Sequence, residues 1–95
     1  MRFESTAVVA GGDPDAVFAR GAAQLYRRGL PAEVDPDSRV AAWRVSGRGG
    51  ECAGQLYVTD ARPHGVRVTV AVETAPAAAA RARAEIDSAL AALAA

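Results

Sequence analysis

At 95 residues the chain is expected to form one domain, residues 1–95, near the lower end of sizes that hold a hydrophobic core without metal or disulfide staples. Eleven basic residues, all arginine, balance eleven acidic ones; the lack of a basic excess to displace counterions argues against a general nucleic-acid binder or an anionic-membrane binder. Cys52 is the single cysteine, so an intrachain disulfide is excluded, and no apolar run reaches the roughly 18 residues of a membrane span.

The opening stretch, "MRFESTAVVAGG", is too polar for a signal peptide, and a cytoplasmic location is the expectation. Within it, residues 2–10 alternate as a strand does, with Phe3, Ser5, Ala7 and Val9 on one face and Arg2, Glu4, Thr6 and Val8 on the other. "GGDPD" ends that strand and starts a helix: Asp13 is suited to cap free N–H groups, Pro14 to the first helical position, and Asp15 to the positive end of the dipole. The helix is expected over 14–28, with Val17, Phe18, Gly21 and Leu25 on its apolar side and Gly29 just past its end. "AEV" suggests a short strand before the "DPDS" turn.

Three clearer strands follow. In "RVAAWRVSG" the residues Ala41, Trp43 and Val45 share a face, while Val40 falls out of phase and suggests a bulge. "ECAGQLYVTD" sets Cys52, Gly54, Leu56 and Val58 against Ala53, Gln55, Tyr57 and Thr59, and "ARPHG" reads as the turn that follows. "VRVTVAVE" sets Val66, Val68, Val70 and Val72 on a dry face against Arg67, Thr69, Ala71 and Glu73 on a wet one. From Pro76 onward an alanine-rich helix carries Ile86, Leu90 and Leu93 at i, i+4, i+7, a narrow stripe of small side chains that can sit close against a sheet.

Short connections imply an antiparallel meander, and the valine face needs a helix over it. The fold class is therefore α+β, in the order β-α-β(3-4)-α, with an antiparallel sheet packed on the long C-terminal helix. On this reading Val70→Asp unfolds the domain, whereas Thr69→Asp on the wet face is mild.

The chemistry is sparse. His64 lies in the "RPHG" turn without the positioned partner that a base needs, and reads first as solvated. Cys52, on the apolar side of its strand, reads as a small hydrophobe. Arg44 and Arg67 are suited to cross-strand pairs with Glu51 or Glu73. "GRGG" at 47–50 lacks the helix N-terminus and lysine of a phosphate cradle and reads as a hairpin turn. Trp43 reads first as core, and together with Tyr26 and Tyr57 it offers aromatic surface for a pocket. No catalytic residue, metal or cofactor is indicated.

The stretches "DSRVAAWRVSG", "GQLYVTD" and "VRVTVAVET" resemble the later strands of the START-like or Bet v 1-like superfamily, especially its polyketide cyclase/dehydrase and lipid-transport members. Those often show a W-R-x-x-G strand, here Trp43 to Gly47, and a T-R-V-T-V strand before a long C-terminal helix, matched here by Val66 to Val70 except at the first position. "DPDAVFARGA" is similar to the family's proline-led first helix, with Pro14, Val17 and Phe18 in place. The resemblance implies a helix-grip fold, a curved sheet around the C-terminal helix with a hydrophobic ligand between them. The chain is shorter than that pattern: a second helix and a pair of early strands are missing, and a five-stranded version is expected to have a shallow grip. Either the alanines let the last helix close onto the sheet, or a second copy completes the structure as a homodimer.

Two functions are therefore expected. One is a small hydrophobic-ligand-binding protein, holding its ligand against Trp43, Leu56, Val68 and Val70 with Tyr26 and Tyr57 nearby; a cyclase-like or dehydratase-like role follows from the resemblance alone. The other is a homodimeric interaction module without a cavity. A dry cavity of about 300 Å³ or more favours the first.

Overall fold

The computed structural model describes residues 1–30, 32–47 and 50–94. Its elements are β1 (Arg2–Val9), α1 (Pro14–Arg27), β2 (Ala32–Asp35), β3 (Val40–Gly47), β4 (Gly50–Asp60), β5 (Val66–Thr74), a 3₁₀ turn (Pro76–Ala78) and α2 (Ala79–Ala94). The strands form one antiparallel sheet in the order β1-β5-β4-β3-β2. The order is the α+β plan expected from the sequence, and its fourth meander strand is "AEV" with Asp35. "GRGG" is described only in part: the β3–β4 ladder closes at Gly47 opposite Gly50, and Arg48 and Gly49 lie outside the described residues.

Local chemistry sets the ends of α1. Asp13 accepts a hydrogen bond from the Ala16 N–H at 3.1 Å, and Pro14 follows it where a missing donor costs nothing. At the other end Gly29 takes φ +73, a conformation easy only for glycine. The Gly29 N–H then donates to the Tyr26 carbonyl and the Leu30 N–H to the Leu25 carbonyl, closing a Schellman cap.

In the sheet, alternation decides which side chains face the helices. Phe3, Val72, Gly54, Trp43 and Ala32 form one inner row across the strands; Ser5, Val70, Leu56, Ala41 and Val34 form the next. The core joins these rows to Val17, Phe18 and Leu25 of α1 and to Ile86, Leu90 and Leu93 of α2. Gly21 lets α1 approach β4 closely, since a Cβ there would lie 3.1 Å from a Leu56 methyl. α2 packs mostly over β1, where the Ser5 hydroxyl donates to Asp87 at 2.9 Å and the Arg83 guanidinium sits 5.3 Å from the Phe3 ring centroid. Arg20 ties the two helices together by donating to the Leu93 carbonyl at 3.1 Å.

Two expectations need correction. Val40 marks no bulge: β3 and β4 pair without interruption from Val40 opposite Tyr57 to Gly47 opposite Gly50. Val40 simply belongs to the outer face; the strand begins there because Arg39 adopts a left-handed φ of 55. The outer face of β5 is not uniformly wet either. Thr69 is 5% exposed and Ala71 9%, while Arg67 and Glu73 are open to water. A strand flanked on both sides is shaded by its neighbours' side chains, and here Thr69 stands between Thr6 and Tyr57.

Candidate functional site

The principal apolar depression is a cleft of about 360 Å³ between the underside of α2 and strands β3 and β4, walled at one side by the last turn of α1. Its origin is a mismatch of cover. α2 is drawn toward β1, and the residues that it and the preceding 3₁₀ turn bring toward β3 and β4 include Ala78, Ala82 and Ala89, whose methyl groups are too short to reach the sheet. The alanines therefore leave space where a solid core was one expected outcome.

Trp43 lies at the inner side of this cleft, 6% exposed, with its ring across Gly54 on the neighbouring strand. A Cβ at position 54 would sit 2.3 Å from the ring, so glycine is required for this packing. Leu56 and Val70 continue the apolar lining, Val45 and Cys52 extend it toward the Gly47–Gly50 end, and Ile86 and Leu90 descend from α2. The polar groups are on the helices and their caps: Gln24 from α1 and Arg28 from its C-cap, Arg81 and Glu85 from α2, with Arg81 Nε and Glu85 Oε1 3.5 Å apart.

Of the six side chains expected at a ligand, Trp43, Leu56 and Val70 line the cleft together, and Val68, Tyr26 and Tyr57 do not. Val68 is wholly buried at the other end of the sheet, between Ala7 and Val58. Tyr26 is 84% exposed, because its neighbour Leu25 occupies the inward position on α1. Tyr57 has the outer parity of β4 and stands opposite Val40 and Thr69. Residue type alone suggested these two tyrosines, whereas facing is set by position. The helix contributions of Gln24, Ala82 and Ala89 were missed, and Arg28 was expected only to lay its stem along the apolar side of the first helix; the signal for all four was their placement flanking an apolar stripe.

A larger depression, about 620 Å³, lies on the opposite face of the sheet over Ala42, Ala53 and Ala71. Arg2, Glu33, Arg44 and Glu73 edge it, and Arg44 pairs with Glu51 at 2.6 Å, so it is a solvated charged surface. The expected partner for Arg67 is absent among the described residues: Val8 and Thr59 stand opposite it.

Shifted titrations lie outside the cleft, at strand ends and the turns that follow them. Two hydrogen bonds from the Arg62 guanidinium, at 2.9 and 2.8 Å, lower the pKa of Asp60 to about 2, and the same contact raises that of Arg62. The Ser38 hydroxyl, followed by the Ser38 and Asp37 N–H groups, lowers that of Asp35. His64 is exposed, its N–H bonded to the Ala61 carbonyl at 2.8 Å. No group of three or more potential metal-ligating side chains occurs among the described residues, and no helix is long and apolar enough to cross a membrane.

This arrangement of sheet, short helix and covering C-terminal helix is also found in a solved structure, that of the di-domain ARO/CYC protein BexL from the BE-7585A biosynthetic pathway. The two superpose with a TM-score of 0.75 at 19% identity, over 99% of the present chain and 45% of BexL. The chain has a helix-grip-like fold. It spans less than half the length of BexL, and at this identity the likeness concerns the fold. No family model and no curated protein matches the sequence.

Proposed function

We propose that the chain is a small hydrophobic-ligand-binding protein of START-like type, holding its ligand in the cleft beneath α2 against Trp43, Leu56 and Val70. The observation that carries this reading is the cleft itself, about 360 Å³ and lined mainly by apolar side chains. That volume is within the range of about 300–1,000 Å³ typical of ligand pockets, in a chain short enough that filling the space with side chains would have added stability. The fold shared with BexL adds support for a ligand-binding domain of helix-grip type. Binding is favoured over catalysis because the titratable groups of the lining are Cys52, Glu85, Arg28 and Arg81, a set without a base positioned against a nucleophile.

The test is thermal unfolding in a panel of hydrophobic metabolites, followed by fluorescence of Trp43, the only tryptophan. A ligand present at 100 times its dissociation constant is expected to add about 2.7 kcal/mol of stability and to change the Trp43 emission. Silence across the panel, with a dimer in solution, would sink the proposal in favour of the interaction module.

One observation favours that second reading. β1 is an outer strand of the sheet, eight residues long and regular, with an unoccupied side among the described strands. A homodimer paired through this edge is the form the module would take, and sedimentation across a concentration series tests it.

A further inference from the structure

The mouth of the cleft differs in charge from its interior. Gln24 and Arg28, the residue that caps α1, border it four residues apart, and Arg81 and Glu85 border it from α2, with the exposed Ser88 one turn further along the same side of that helix. Arg81 is matched by Glu85 at 3.5 Å. Arg28 reaches across to α2, its Nη2 3.5 Å from the Ser88 Oγ, and among the described residues no carboxylate lies within salt-bridge distance of it. The rim thus carries one guanidinium without a counter-charge, beside a hydroxyl and an amide, above an apolar interior.

From this we infer that the ligand of the cleft is a small amphipathic monocarboxylate, with its apolar body against Trp43 and Leu56 and its carboxylate at Arg28, Ser88 and Gln24. The inference rests on the proposed function and specifies its chemistry. Charge complementarity decides the class. One carboxylate neutralises the one unmatched cation, and its two oxygens suit the planar fork of donors that arginine presents. A neutral hydrophobe would leave Arg28 beside apolar surface with no partner gained, and a cation would be repelled. The size of the cleft admits a single ring system or a medium-length alkyl chain.

The test compares decanoate and naphthoate with decanol and naphthol, at submicellar concentration, by calorimetry. A second readout is the rate at which maleimide alkylates Cys52, the only cysteine and a lining residue. The carboxylates are expected to bind about tenfold more tightly than the alcohols and to slow alkylation. Arg28→Gln is expected to abolish that preference and Arg28→Lys to keep part of it; Arg28 is exposed, so both variants should fold. Equal binding of acids and alcohols, with Cys52 protected by both, would overturn the headgroup assignment and leave the cleft reading intact, as would a preference unchanged in Arg28→Gln. If no compound binds or protects Cys52, the headgroup assignment and the cleft reading fail together.

Discussion

The two ends of the sheet's inner face are built from similar residues and have opposite fates. At one end Val9, Val58, Val66 and Val68 are all buried, in one cluster with Val17 of α1. At the other, Val45 and Cys52 are only half-buried, although they sit on the same face of neighbouring strands. The difference lies in what stands above each end. α1 brings Val17 and Phe18, large enough to reach the sheet, while the start of α2 brings alanines. A strand pattern specifies which face avoids water; the size of the side chains opposite decides whether that face becomes core or cleft.

The sharpest way to break this comparison is to place the same charge at both ends. Val68→Asp puts an unpaired carboxylate at a position with no exposure and is expected to abolish the cooperative thermal transition, a loss of more than about 4 kcal/mol. Val45→Asp, at the open end, is expected to leave a measurable transition while removing ligand occupancy of the cleft. Equal loss from both would mean that the open end is closed in solution.

Next in size is the packing of Trp43. Gly54→Ala drives a methyl into the indole and is expected to cost about 1–3 kcal/mol in denaturant unfolding, with a shift in Trp43 emission; a silent substitution would mean that the ring does not lie across Gly54. Thr69→Asp is expected to be of similar or greater size, because position 69 is shaded and the Thr69 hydroxyl stands 3.4 Å from that of Thr6. A neutral outcome there would restore the fully wet outer face expected from alternation. The smallest effect belongs to Asp60→Asn. Since folding lowers the Asp60 pKa from 3.8 to about 2, the contribution of its ionised form is complete above pH 3.8 and is lost as pH falls toward 2. Melting temperatures of wild type and variant should therefore differ slightly at neutral pH and converge in acid; a gap that persists below pH 2 would place the effect elsewhere.

Much of the fold was legible because it depends on local rules. Asp13–Pro14 and Gly29 mark the ends of a helix by hydrogen bonding and backbone freedom, and Val66, Val68, Val70 and Val72 mark a face by alternation alone. The candidate site's sheet lining was legible in part, for the same reason: Trp43, Leu56 and Val70 have inner parity and meet at the cleft, whereas Tyr26 and Tyr57 were chosen for their chemistry and point elsewhere. For Arg28 the helical spacing placed its stem beside the apolar side of the first helix, but only the packing of α1 beside α2 brings it to Ser88, sixty residues away along the chain.

The sequence by itself determined the order of elements, the inner and outer faces, and the alanine character of the last helix, all of which are properties of neighbouring residues. Tertiary structure alone decided that α2 leans toward β1, that the space over β3 and β4 stays open, and that an unmatched arginine stands at its mouth. Those outcomes depend on which distant surfaces gain most by meeting, and that balance is struck only once the whole chain has packed.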